Sequence, residues 1–243
     1  MNKIFVEGPN EYVLHEKLPN GLDVYMLPNN KVQTYYLTFS AKFGSVITDF
    51  KFEGDKTYKH IPVGVAHTLE HLTFYTEDGD ASTFYANNGA KSNAYTSTHI
   101  TCYEVFGYNK FKENLEYLLD YVQTPYYTEK MVNDEKGIIT EEIKMYEDDP
   151  ESVLMSAANE CLFVNDNRKN LVTGTKNDVK KTTVKDIELA YNTFYYPANM
   201  FVCLTGNFNP DEALAIIEEN QAKKTFKEQK KIIVKKIREP KNV

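Results

Sequence analysis

"AHTLEHLTF", residues 66–74, sets His67, Glu70 and His71 within five positions of a chain that has five histidines in 243 residues. At about 100° per residue on a helix, His67 and His71 fall roughly 40° apart, so both imidazoles can reach one metal ion. Leu69 points the other way, with Val65, Ala66 and Leu72 within about 60° of it, which puts a core stripe opposite the histidines. Gly64 shares the histidine side and leaves room there for an approaching group. Glu70 lies about 80° from the midpoint of the histidine pair. In the better-known H-E-x-x-H order the glutamate lies at a like angle on the other side, so the two arrangements are near mirror images. A carboxylate that stands beside a metal without ligating it can take a proton from metal-activated water. The other histidines, His15, His60 and His99, occupy polar or Thr/Ser-rich stretches and read as surface or structural groups.

A catalytic zinc takes three protein ligands and keeps one position open. The source of the third is "NDEKGIITEEIKMYED", residues 133–148. With Ile139 at zero on a helical projection, Val132, Ile143 and Tyr146 fall within about 40° and mark a buried stripe. Glu135 lands at about −40° and Glu142 at about −60°, inside or beside that stripe. A carboxylate among core residues is costly unless it is paired or bound to a metal. Glu141, Lys144 and Glu147 fall on the outer side or flank and suit solvated roles. Periodicity therefore singles out Glu135 and Glu142 without choosing between them.

Working outward, residues 1–45 read as strands, with "YVLHEKLPNGLDVYMLP" as two extended runs around a Pro-Asn-Gly turn. Pro62 is expected to open the histidine helix, which runs to about Phe74. A short helix ends at Gly89, and "SNAYTST" and "TCYEVFGY" follow as strands. Long helical patterns occupy "FKENLEYLLDYVQ", "EKMVNDEKGIITEEIKMYED" and "PESVLMSAANECLFV". A helix over about 184–193, the buried strand "MFVCLTGNF" and a helix from Pro210 complete the set. The interleaving predicts one α+β domain of two layers, a mixed sheet covered mainly on one face by helices. The domain is expected over 1–226, with 227–243 as a connector toward a further domain.

The hydrophobic fraction is 42%, the charged fraction 26% and the net charge −7. Such a balance argues against nucleic acid as the main partner. Nothing approaches the roughly 18 consecutive apolar residues of a membrane span. The first twenty residues lack the apolar core of a secretion signal, so a cytoplasmic location is expected. Cys102, Cys161 and Cys203 form no CxxC pattern and read as small buried hydrophobes in a reducing compartment.

"HTLEH" (67–71), followed some seventy residues later by "EKGIITEE" (135–142), resembles the zinc peptidases of the pitrilysin, insulysin and mitochondrial processing peptidase family. Two further stretches are similar to that family: "NNGAKSNAYTSTHITCY", and "YYPANMFVCLTGNFNPDEA" with Tyr195, Pro197, Asn199, Met200, Gly206 and Pro210. The nearest likeness is to a cytosolic branch in Gram-positive bacteria. The resemblance covers roughly residues 10–225. It implies the processing-peptidase-like fold, with a largely antiparallel sheet. It also implies one Zn²⁺ held by His67, His71 and Glu142, with Glu70 as catalytic base and Glu135 supporting the site from behind. Asn93 and Ala94 are implied to lie on the strand along which an extended peptide binds.

One departure is "LTFYTEDGD", which stands where the family has a Lys-Gly-Thr run, so the lip of the cleft is expected to differ. Full members carry four related domains in two halves around a chamber, and an Arg/Tyr pair from the later half helps bind substrate. The chain is thus expected to be the first domain of a zinc endopeptidase acting on extended peptides or small proteins. Its complement would be a C-terminal half of the same polypeptide or a homologous partner subunit, and alone it should hold zinc yet cleave poorly. The alternative is a non-catalytic peptide-binding or assembly subunit, but such partners have typically lost motif residues that are all present here. A purely structural zinc site would want four closed ligands and gains nothing from Glu70.

Overall fold

The computed structural model describes residues 1–227 and 229–237. The chain opens with β1 (Asn2–Val6), β2 (Glu11–Lys17), β3 (Asp23–Pro28) and β4 (Tyr35–Ala41), then the short β5 (Asp49–Phe52) and β6 (Lys59–His60). Next come α1 (Val65–Thr73), the hairpin β7 (Tyr75–Thr76) and β8 (Gly79–Asp80), α2 (Ala81–Asn87), β9 (Lys91–Thr96) and β10 (Thr101–Gly107). Helices α3 (Phe111–Gln123), α4 (Glu129–Asp148), α5 (Pro150–Leu162), α6 (Lys176–Lys181) and α7 (Val184–Phe194) precede β11 (Met200–Gly206), α8 (Pro210–Ala222) and β12 (Ile232–Val234).

Seven strands form one sheet in the order β1-β2-β3-β11-β4-β10-β9. The β3–β11 pair is parallel and the other pairs are antiparallel. This is the mixed, largely antiparallel α+β architecture expected. Alternation explains why one face is covered: Leu37 and Phe39 on β4, Tyr103 and Val105 on β10, and Val202 and Leu204 on β11 are all buried. Helices α1 and α3 pack on that face, and α8 lies against β3. The opposite face carries Tyr36, Thr38, Glu104, Cys203 and Thr205, in register across β10, β4 and β11.

Several local expectations change. The histidine helix begins at Val65, not Pro62, because Gly64 takes a left-handed φ of 87° as its N-cap. A Cβ at Gly64 would collide with the Thr173 carbonyl. The glycine therefore serves this cap and close approach rather than an opening for a ligand. Among the cysteines Cys102 is buried and Cys203 half-buried, but Cys161 is exposed. It sits on α5, a helix with no buried residue, so the apolar pattern of that segment meets no core. Of the expected connector over 227–243, residues 228 and 238–243 lie outside the described residues. Within it, β12 turns back to pair with β5. Among the described residues no helix is long and apolar enough to cross a membrane.

Candidate metal centre

Helix α1 is wedged between β9, β10, α4 and α7, so it is buried nearly all round rather than along one stripe. Leu69 is fully enclosed, and on the other side His67 and Glu70 retain 8% and 7% exposure. The two imidazoles stand side by side with ring centroids 4.5 Å apart. Helix α4 lies against this face and brings Glu135 and Glu142, seven residues apart, opposite them.

Both imidazoles turn Nε2 toward one carboxylate: His67 Nε2 is 3.5 Å from Glu142 Oε1, and His71 Nε2 is 3.7 Å from Glu142 Oε2. Ligand atoms from His67, His71 and Glu142 all lie within 4.8 Å of one another. A tetrahedral zinc with bonds near 2.0–2.1 Å spaces its ligand atoms by roughly 3.3–3.5 Å, which this donor set fits. Periodicity alone left Glu135 and Glu142 as equals, and the structure separates them. Glu135, 3% exposed, accepts from His71 Nδ1 at 3.0 Å and from Tyr75 Oη at 2.5 Å. It stands behind His71, whereas Glu142 stands in front.

Glu70 does not join the Glu142 group. Its Oε2 accepts from Thr96 Oγ1 at 2.6 Å. Burial pushes its pKa up, against the pull of Thr96 and the two histidines. For Glu135 burial works in the same direction, but the hydrogen bonds from His71 and Tyr75 outweigh it and hold the carboxyl low. Glu142 is held low first by the His67 contact. Burial would lower His71, yet Glu135, Glu70 and Glu142 raise it above the usual imidazole value. Three carboxylates thus face two imidazoles. Among the described residues no lysine or arginine is ion-paired to any of the three.

A cleft of about 670 Å³ opens over the group, lined among others by Ala94, Thr96, Met145, Tyr146 and Met155. Strand β9 forms one rim and is the terminal strand of the sheet, so its outer edge is unpaired among the described strands. The Ala94 side chain sits on the cluster side of β9, whereas Asn93 borders a cleft with Glu70, His71 and Glu135 but stands opposite Glu104 on the other face of the sheet. The Asn93 side chain lies across the sheet, where Nδ2 donates to Glu104 Oε2 at 3.3 Å. Three hydroxyls were not anticipated as site groups: Thr96 on Glu70, Tyr75 on Glu135 and Tyr146, whose Oη donates to Glu142 Oε1 at 2.9 Å. Tyr146 also leaves the buried stripe to which its spacing assigned it and is 37% exposed at the cleft. The i,i+4 spacing from Glu142 is the signal that could have found it. As expected, the remaining histidines stand apart: His15 pairs with Asp23, His60 with Asp49 and His99 with Thr98.

The α+β domain thus converges two histidines and a glutamate, beside a buried second glutamate, in a group that could hold a metal ion. Residues 59–176 match the family described as "Insulinase (Peptidase family M16)", and residues 181–243 match "Peptidase M16 inactive domain". The chain belongs to the M16 (insulinase) peptidase family. It is 37% identical over 233 residues to "Uncharacterized zinc protease YmfH" of Bacillus subtilis, covering 96% of this chain and 54% of that one. A crystal structure from Alicyclobacillus acidocaldarius, described as an M16-like peptidase, superposes with a TM-score of 0.91 at 34% identity. It covers 98% of this chain and 55% of that one. A protease structure from Helicobacter pylori shares the fold, with a TM-score of 0.83 at 22% identity over 94% of this chain and 54% of that one. The chain therefore spans about half the length of these proteins.

Proposed function

We propose that this chain is the zinc-holding domain of an endopeptidase that hydrolyses extended peptides or small proteins. The observation that carries the reading is the convergence of His67, His71 and Glu142 on one point, with Glu70 close by but outside the ligand set. His67 Nε2, His71 Nε2 and a Glu142 oxygen would hold the ion. When bound, zinc supplies a Lewis acid for the scissile carbonyl and acidifies water. Glu70 takes the proton of the attacking water and returns it to the departing amine, with Thr96 fixing which oxygen does so. The peptide adds to the free edge of β9 through main-chain hydrogen bonds, the role proposed for Ala94 and Asn93. Asn93 contributes to this through its backbone, since its side chain is engaged with Glu104.

A second half, covalent or a separate subunit, closes the cleft in this reading, with residues 1–226 as the zinc domain and 227–243 as a connector. The half-length match to YmfH, which is named a zinc protease, and to the M16-like peptidase structure supports it. A cytoplasmic location belongs to the same proposal and is supported by three cysteines without a disulfide. The test measures zinc content of this chain, and peptide cleavage by the chain joined to its C-terminal continuation, for wild type and Glu70→Gln. One zinc per chain in both, with cleavage reduced by about 10²–10⁴-fold in the variant, is the expected result. Equal rates would remove Glu70 from the role of base. The non-catalytic binding subunit is the outcome if wild type holds zinc and cleaves nothing.

A further inference from the structure

The six residues that follow Phe74, the C-cap of the metal helix, "YTEDGD" (75–80), fold into the hairpin β7–β8, with Tyr75 opposite Asp80 and Thr76 opposite Gly79. Gly79 adopts φ 118°, which a side chain would resist, and Thr76 Oγ1 donates to its carbonyl at 2.8 Å. At the far end Asp80 caps α2 through the Ser82 amide. The hairpin is therefore anchored between two helices, and it fixes the position of Tyr75.

From there Tyr75 Oη reaches Glu135 Oε1 at 2.5 Å, while Glu135 Oε2 receives His71 Nδ1 at 3.0 Å. Both carboxylate oxygens are used, one by each partner, so the carboxylate can neither rotate nor slide without breaking a bond. An ionised carboxylate can only accept, so His71 carries its hydrogen on Nδ1 and leaves the Nε2 lone pair toward Glu142. His67 has no such support: its Nδ1 is buried with no hydrogen-bond partner among the described residues. The orientation of the imidazole pair thus depends on the His71 side.

We propose that Tyr75 is a positioning residue that acts through Glu135 to hold His71 in the ring orientation and tautomer needed to ligate zinc. The inference rests on the assignment of His71 as a ligand and goes beyond it by giving the hairpin a task. Carboxylates behind ligating histidines typically change metal affinity by about 10–100-fold when removed. A single neutral hydroxyl acting on such a carboxylate should account for a smaller share, about 3–10-fold.

The experiment uses the full chain with zinc alone, its affinity measured by competition with a chromophoric chelator. Co²⁺ substitution supplies a visible absorption band sensitive to ligand geometry. Tyr75→Phe should weaken zinc binding about 3–10-fold and shift the cobalt band, with the metal-free chain lowered in thermal midpoint only by the loss of one hydrogen bond to a buried carboxylate. Glu135→Gln should weaken it about 10–100-fold, and the double variant should match Glu135→Gln within about twofold, because Tyr75 then has nothing to act through. Wild-type affinity and an unshifted band in Tyr75→Phe, or losses that multiply in full in the double variant, overturn the inference while leaving the zinc site standing. A wild-type chain that takes up no zinc overturns the site, and this inference with it. Should Glu135→Gln fail to fold, the affinity and cobalt band of Tyr75→Phe decide alone.

Discussion

Two histidine–carboxylate pairs in this molecule have the same length and opposite surroundings. His71 Nδ1 to Glu135 Oε2 and His15 Nε2 to Asp23 Oδ1 both measure 3.0 Å. Around His15 the carboxylate is more than matched by cations: Lys17 and Lys42 also reach Asp23, and the ring of Tyr25 stacks on the imidazole. Around His71 it is not, since Glu70 and Glu142 add two further carboxylates and, among the described residues, no lysine or arginine is paired to them. The first cluster is complete and reads as a staple at the end of β3. The second has surplus negative charge at a convergent, half-enclosed point, and a divalent cation completes it. What separates structure from function here is the sum of charge around the pair, not the pair itself.

The sharpest way to break that contrast is to remove a carboxylate from the surplus. Glu142→Ala should reduce zinc from one per chain to none after dialysis. If three ligands share the roughly 10–16 kcal/mol typical of protein-bound zinc, one of them accounts for about 3 kcal/mol or more. The metal-free variant should lose no more than about 1 kcal/mol, because the His67 and Tyr146 contacts that go with Glu142 are partly offset by relief of its repulsion with Glu70. Retained stoichiometric zinc would contradict the ligand set, and a metal-free loss as large as that of the sheet-end Asp23 would make Glu142 a structural group like it.

The sheet-end cluster should respond in the opposite manner, through stability and not through metal. Asp23 is nearly buried, and burial would raise its pKa, but the His15 and Lys17 contacts prevail and depress it. A carboxyl depressed in the folded state stabilises above its unfolded pKa of about 3.9 and loses that contribution as pH falls through the folded value. Asp23→Asn should thus cost about 1–2 kcal/mol at pH 7, with the gap to wild type closing below about pH 4. Urea midpoints across that range give the measurement, and a gap independent of pH would mean that packing, not charge, is what Asp23 supplies.

Both clusters illustrate what helical arithmetic can and cannot read. Spacing alone placed His67, Glu70 and His71 together and drew out Glu135 and Glu142, because a carboxylate at a core position contradicts its own stripe. It could not rank the two glutamates, since that depends on which turn of α4 faces α1. Gly64 was misread because a left-handed cap against the Thr173 carbonyl leaves no periodic trace. The β7–β8 hairpin escaped for a related reason: two-residue strands are too short to alternate. Tyr146 and Cys161 failed differently. Periodicity announces that a helix has an apolar side but not that anything meets it, and α5 meets no core. The fold's large elements were therefore legible, while the hydroxyls that orient the three carboxylates were not, being set by tertiary contact.

A third pair of the same length calibrates the comparison from below. Lys130 Nζ lies 3.0 Å from Asp134 Oδ2 one turn along α4, with the two side chains 87% and 58% exposed. Water screens this attraction, and ordering two long side chains offsets most of what remains. Lys130→Ala should change stability by no more than about 0.5 kcal/mol, with little dependence on pH between 5 and 8. It should also leave zinc content untouched, although the residue stands on the same helix as Glu135 and Glu142. A loss comparable to that of Asp23→Asn would show that geometry outranks environment in this protein, and would undo the argument that surplus charge, rather than contact distance, marks the metal centre.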